Sequence, residues 1–238
     1  LIFFRPLEYS VGSSDNAFLG LGYKIKVARH QQFYGQVLLD EFLLSEVKKD
    51  ALELINPDDT TDSGWWANKQ AYQFGFRSFD LLRIKNLDFQ TEANIVRPYT
   101  YAHGSSLQSY GHMNQPLAHP LGANFSEWLS ILNYRYKNFI FEAKYIRSVR
   151  GADTSAANYG ATIFLSYFPH PNEYGNKIGQ GLKINTSTIG FRASVLYGNT
   201  RFEVGFNNRT ETSKAFSRHT PYLYFGIRTH FGNSYTDF

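Results

Sequence analysis

Three histidines crowd one stretch of the chain. His103, His112 and His119 fall within residues 102–124, AHGSSLQSYGHMNQPLAHPLGAN, together with Asn114. Imidazoles ligate divalent metals and act as general bases, but both roles require convergence on a point: a helical or strand register for ligands, or a nucleophile within hydrogen-bond reach of the base. A loop with two prolines supplies no such register. The chain has no Cys and no HExxH pair, so thiolate chemistry and the commonest zinc helix are absent. A Ser-His-Asn phospholipase, or a protease using carboxylates and His, is the enzymatic rival, and no nucleophile-base pairing is legible for it. The residues read instead as part of a non-enzymatic protein with no cofactor and no metal. Pro116, Pro120, Gly111 and Gly122 restrict the backbone to a fixed shape. On such a loop Tyr110, His112, Asn114, Gln115 and His119 offer aromatic and hydrogen-bonding groups suited to a sugar or a peptide segment.

A second set of charged residues is spread through the chain: Asp88, Glu92, Glu127, Arg135, Glu142, Lys144, Arg192, Arg201, Glu203, Arg209 and Arg228. Each lies in a stretch where polar and apolar residues alternate, the period of a strand. One-signed rings would suggest an ion-selective pore. Mixed signs suggest pairing across a lumen.

The elements that position these charges are clearest in residues 125–150, FSEWLSILNYRYKNFIFEAKYIRSVR, two arms joined at Lys137-Asn138. Trp128, Leu132, Tyr134 and Tyr136 share a face of the first arm, and Phe139, Phe141, Ala143 and Tyr145 a face of the second. The other faces carry Glu127, Asn133, Arg135, Glu142, Lys144 and Ser148. Arms of about ten residues or more exceed the usual strand of about five or six. Long strands with aromatic and polar faces suit lipid on one side and a polar lumen on the other.

The connections alternate in length. Short ones fall at Arg29-His30, 83–86, Lys137-Asn138 and Gly198-Asn199, and longer ones at 43–66, 102–124, 151–182 and 211–220. The first dozen residues of segment 43–66 suit a helical turn or two before Pro57. Counting the apolar opening stretch 1–9 and a last strand over 221–231, with Phe231 facing lipid and His230 facing inward, about ten strands result. The expectation is an all-β chain: an antiparallel transmembrane β-barrel of about ten strands, or the C-terminal ten strands of a larger barrel, in one domain over 1–238. Neighbouring strands should pair in sequence order, with long loops extracellular and the C-terminus periplasmic. A soluble β-sandwich is the alternative.

Composition agrees. Charges of 24 Lys and Arg against 20 Asp and Glu are spread thinly, which is no nucleic-acid footprint. Aromatics reach 17%, as in a sheet protein with interfacial girdles. No window of about eighteen apolar residues marks a membrane helix, and a mean hydropathy of −0.38 suits a barrel in which only every second strand residue meets lipid. The opening LIFFRPLEYS lacks an initiator Met and a signal sequence, as in a mature chain or a fragment. Sequons at Asn124, Asn185 and Asn208 read as chance matches.

The words GQVLLDEF, GHMNQPLAHPLGANF and NEYGNKIGQG, with the opening FFRPLEYSVGSSDNAFLGLGYK, resemble the carboxyl-terminal part of the Wzi-like capsule-assembly group of outer-membrane proteins. Within it they are most similar to the gliding-motility RemB-like branch. The resemblance implies a Gram-negative outer membrane, contact with lipid and lipopolysaccharide, and a larger barrel of which these strands are the end. It also implies partners among the outer-membrane proteins of gliding and type IX secretion, or attachment of surface polysaccharide. It supplies no catalytic residues. A porin-like channel is the other reading of the same wall.

Overall fold

The computed structural model describes residues 16–56 and 63–229. Wherever polar and apolar residues alternate without a break, the chain is a strand. These are β1 (Leu19–Ala28), β2 (Gln31–Leu39), β3 (Gln70–Ser78), β4 (Leu87–Val96), β7 (Phe125–Tyr136), β8 (Phe139–Ala152), β9 (Leu182–Tyr197), β10 (Thr200–Ser213) and β11 (Ser217–Thr229). They form one antiparallel nine-stranded sheet, each strand beside the next in sequence. Two shorter strands, β5 (Gly111–His112) and β6 (Gln115–Pro116), make a ribbon within the loop that follows β4. No helix among the described residues is long and apolar enough to cross a membrane, which says nothing of strands.

Register sorts the two faces. One row of paired residues runs Phe89, Leu132, Ala143, Phe191, Phe206 and Leu223 across six strands, and the adjacent row runs Asp88, Asn133, Glu142, Arg192, Gly205 and Tyr224. Period two puts these rows on opposite faces. All eleven charged residues named above fall on the polar face, and the aromatics of residues 125–150 other than Phe125 on the other. Nothing among the described residues covers the apolar face: Trp128 is 58% exposed, Phe191 56% and Leu223 74%.

On the polar face, close packing takes the place of a second layer. The ring of Tyr34 lies over Gly75 and that of Tyr224 over Gly205, in each case its paired residue on the neighbouring strand, where a Cβ would collide with the ring. The Tyr34 hydroxyl then reaches two strands over and donates to Glu92 Oε2 at 2.7 Å.

Several expectations are corrected. Among the described residues the sheet holds nine strands; the tenth expected strand, over the stretch 1–9, lies outside them, as do His230 and Phe231. Its edges β1 and β11 are not paired with one another, so the described strands do not close. The second sheet that a sandwich requires is also not found among the described residues.

The fourth long connection is a tight turn. Strands β10 and β11 pair as far as Thr212 and Ser217, and the Ser213 hydroxyl accepts the N–H groups of Ala215 and Phe216, capping the reversal. The connection around 83–86 is longer than read, with a 3₁₀ turn at Leu81–Arg83 held by Asp80 Oδ1 accepting the Asn86 N–H at 2.6 Å. Segment 43–66 contains a full helix, α1 (Leu44–Ile55).

Mixed charges do pair, but between neighbouring strands. Arg192 donates to Glu142 at 2.6 Å, and Arg228 lies 2.9 Å from Glu203. Side chains paired on adjacent strands stand about 5 Å apart, within reach of a direct ion pair that no opposite wall could match.

Candidate functional site

An antiparallel meander places connections 40–69, 97–124 and 153–181 at one end of the sheet, and there the chain buries its interior. The apolar core is Ala71, Val96, Tyr101, Ala123, Phe125 and Ile163, with Phe18, Leu38, Tyr110, Leu121 and Phe164 packed against it. Ala71, Val96 and Phe125 are polar-face positions at the last rungs of their strands, so the loops fold inward over that face. The run ATIFLSYF contributes Ile163 and Phe164 to this cap.

Amide and carboxylate side chains knit the loops, because irregular backbone under cover must find partners away from water. Asn124, fully buried in a left-handed conformation, donates to the carbonyls of Tyr159 and Gln180 and accepts the Gly179 N–H. Asn176 donates to the carbonyls of Gly64 and Asn172. Asp153 accepts the N–H groups of Tyr159 and Thr162, and Arg97 holds the carbonyls of Asn68 and Trp65 while lying 3.1 Å from Asp50 of α1.

Beside this framework lies a chain of charges at the end of β2. Asp40, with no exposed side-chain surface, accepts the Tyr101 N–H and lies 3.2 Å from His103 Nε2, which also meets the Asn16 amide at 2.6 Å. His103 Nδ1 stands 3.5 Å from Glu41, whose other oxygen accepts from Lys69 at 2.7 Å. The Lys69 ammonium is wholly buried, also donates to the Ala102 carbonyl, and rests 4.1 Å from the Tyr167 ring centre. Both nitrogens of His103 are therefore occupied by groups that hold the loop to β2.

Burial raises the phenols of this cap. Tyr99, Tyr101 and Tyr167 all lie above the ordinary tyrosine value because an ionised ring would lose its hydration, and Asp153, Asp40 and Glu41 respectively add repulsion. On α1 the opposite shift occurs: hydrogen bonds from Lys177 and then Ser63 lower the Glu53 carboxyl.

The five candidate binding residues divide between two positions. Tyr110 packs edge-on against Phe18 at 4.8 Å and joins the core margin. His119 tilts over Phe125 at 4.5 Å and reaches Glu127 on the polar face at 3.2 Å. His112, Asn114 and Gln115 are exposed on the β5–β6 ribbon. Its two-residue turn places Met113 and Asn114 at φ 47 and 58, the twist that suits tight hairpins. The three histidines do not converge, and no group of three or more His, Cys, Asp or Glu side chains among the described residues is placed to hold a metal.

Beneath the ribbon is a cavity of about 260 Å³ between the loop and β2, β3 and β4, lined by Gln36, Gln73, Asn94, Tyr101, Tyr110 and His119 among others. Asp40, Lys69, Asn124 and Asn176 are the structural residues that spacing alone did not single out. Three of them lie inside GQVLLDEF, GHMNQPLAHPLGANF and NEYGNKIGQG, and that clustering of Asn, Asp and Gly was the available signal. Neither the protein-family models nor the curated proteins include a match to this chain.

Proposed function

We propose that this chain is wall and plug of a bacterial outer-membrane β-barrel, a non-enzymatic protein of the cell surface. The observation that carries the reading is the uncovered apolar face. It runs through all nine strands from Leu21 to Leu223, opposite a face of charges and amides. Soluble monomers rarely expose a contiguous apolar patch beyond about 300–600 Å². In lipid the same face is the favourable one.

Edge strands in lipid must be paired, so the reading includes further strands on β1 and β11, as in the larger barrels that the sequence resembles. The polar face then borders the lumen, and the three joined loops close its extracellular end. Contact with lipopolysaccharide and with outer-membrane proteins of a gliding or type IX secretion complex follows from the resemblance.

A second reading is retention of surface polysaccharide, favoured by the amide and aromatic lining of the cavity beneath the ribbon. The porin-like reading is disfavoured by a cap folded over the polar face. The test is to replace residues 110–122 by a short Gly/Ser linker and compare with the wild type in planar bilayers, adhesion and partner pull-down. Heat-modifiable migration should persist, a silent wall should begin to conduct, and adhesion or pull-down should fall. Wild-type behaviour in all three assays would make the loop mere packing. A detergent-free soluble monomer would remove the membrane reading itself.

A further inference from the structure

The helix α1 is amphipathic in the reverse sense to a helix docked on a protein core. Its inward side carries charge. Glu46 is buried and accepts from Lys49, Asp50 accepts from the Gly64 N–H and the Asn68 amide and pairs with Arg97, and Glu53 accepts from Lys177 at 2.9 Å. Its outward side carries Leu44, Lys48, Ala51, Leu52 and Ile55, spaced i, i+4, i+7, i+8 and i+11, which is one stripe of an α-helix. Leu44 is 63% exposed, Leu52 57% and Ile55 81%. Phe42 and Leu43, leading into the helix, are exposed as well.

This inversion has a physical cost in water, since the ion pairs could have faced solvent and the leucines the core. It has none at a lipid interface. Strand β2 ends at Leu39, and five residues of chain span at most about 18 Å, so α1 begins close above the rim of the apolar face, where Leu19 pairs with Leu39. The exposed Phe42 and Leu43 bridge that short gap, so the sheet's apolar face and the helical stripe are joined along the chain.

We infer that α1 lies in the plane of the outer leaflet, its Leu44, Leu52 and Ile55 side chains inserted among acyl chains at the headgroup boundary and its charged side clamping the cap. Lys48, in the middle of the stripe, extends its ammonium to lipid phosphate while its methylenes stay with the apolar side chains. The inference rests on the membrane reading of the wall. It adds a second contact between protein and lipid, made by a loop rather than a strand, that ties the cap to the bilayer surface.

The native chain has no Cys, so single-site labelling is direct. Nitroxide labels at Leu52→Cys, Ile55→Cys, Leu223→Cys and Met113→Cys would be compared in phosphatidylethanolamine–phosphatidylglycerol vesicles, reading collision with oxygen against collision with a water-soluble nickel chelate. All four sites are exposed, and heat-modifiable migration checks that each labelled protein is folded. The label at 223 should favour oxygen strongly and that at 113 the chelate. Labels at 52 and 55 should show an oxygen-to-nickel ratio several-fold above that at 113. If 52 and 55 match 113 while 223 remains in lipid, the helix is a water-facing loop and this inference fails alone. Shielding of 52 and 55 from both reagents would mean a protein partner or second copy covers the stripe, and also overturns it. A chelate-accessible label at 223 would remove the wall reading and the helix with it.

Discussion

In the wall, Phe191 and Phe206 stand paired and exposed on a face that no other element among the described residues covers, whereas in the cap Tyr99, Phe125 and Ile163 are almost without accessible surface. The two regions use apolar side chains in opposite directions. The wall's internal cohesion comes from its ladder hydrogen bonds, its ion pairs along the polar face and the tyrosine rings seated over Gly75 and Gly205. The cap has few regular hydrogen bonds and is held by asparagine and aspartate side chains around a small core. The difference teaches that, among the described residues, the conventional interior lies in the loops. On the proposed reading lipid takes the part of the missing layer on the wall, and the cap must complete its own hydrogen bonds because it has no strand partners to do so.

The sharpest test of that contrast places one substitution on each face of the sheet. Phe191→Arg puts a cation in the middle of the apolar face and should destabilise the vesicle-inserted protein by about 2–4 kcal/mol. Asn133→Arg lies on the polar face between Asp88 and Glu142 and should change stability by less than about 1 kcal/mol. Denaturant unfolding of the reconstituted variants measures both. Equal effects would show that the two faces do not meet different solvents.

Breaking the cap should leave the wall standing. Asn124→Ala orphans the Gln180 carbonyl and the Gly179 N–H in a buried position, while the Tyr159 carbonyl keeps the Gln180 amide, a loss of roughly 2 kcal/mol localised to the loops. Limited proteolysis should then cut within residues 153–181 while heat-modifiable migration is kept. Loss of migration together with protection would mean that wall and cap fold as one unit.

The smallest expected effect comes from pH. Tyr99, Tyr101 and Tyr167 have phenols raised by burial, so the folded cap binds these protons more tightly than the unfolded chain does. Their contribution is complete below the unfolded value of about 10 and is lost as pH rises above it. Tyrosinate absorbance should show a late-ionising group of residues, and hydrogen exchange in the cap should speed up above about pH 10 with little change in the wall. Titration of all tyrosines together near the ordinary value would mean that the cap is open to water.

Alternation was the part of this fold most legible in the chain itself. It placed Glu142 and Arg192 on one face and Phe141 and Phe191 on the other, because a strand's period of two needs only the local sequence. Sequence order also sufficed for the pairing of neighbours, since tight turns such as Lys137-Asn138 and Gly198-Asn199 leave a strand no nearer partner. The polar residues around Ser213 resemble a loop in composition, and only pairing across to Ser217 reveals that they extend the strands.

The cap was legible only as a fixed shape. Prolines and glycines in 102–124 marked restriction, but not that His119 would turn toward Glu127, that Asn124 would join three segments, or that His103 would sit between Asp40 and Glu41. Those contacts bring together residues dozens of positions apart in segments with no period to read. The direction of α1 is the same kind of fact. Its stripe of Leu44, Leu52 and Ile55 was present in the sequence, and an apolar stripe ordinarily marks the buried side of a helix. Only the long-range partners Arg97, Asn68 and Lys177 drew its charged side inward and left the apolar side facing out.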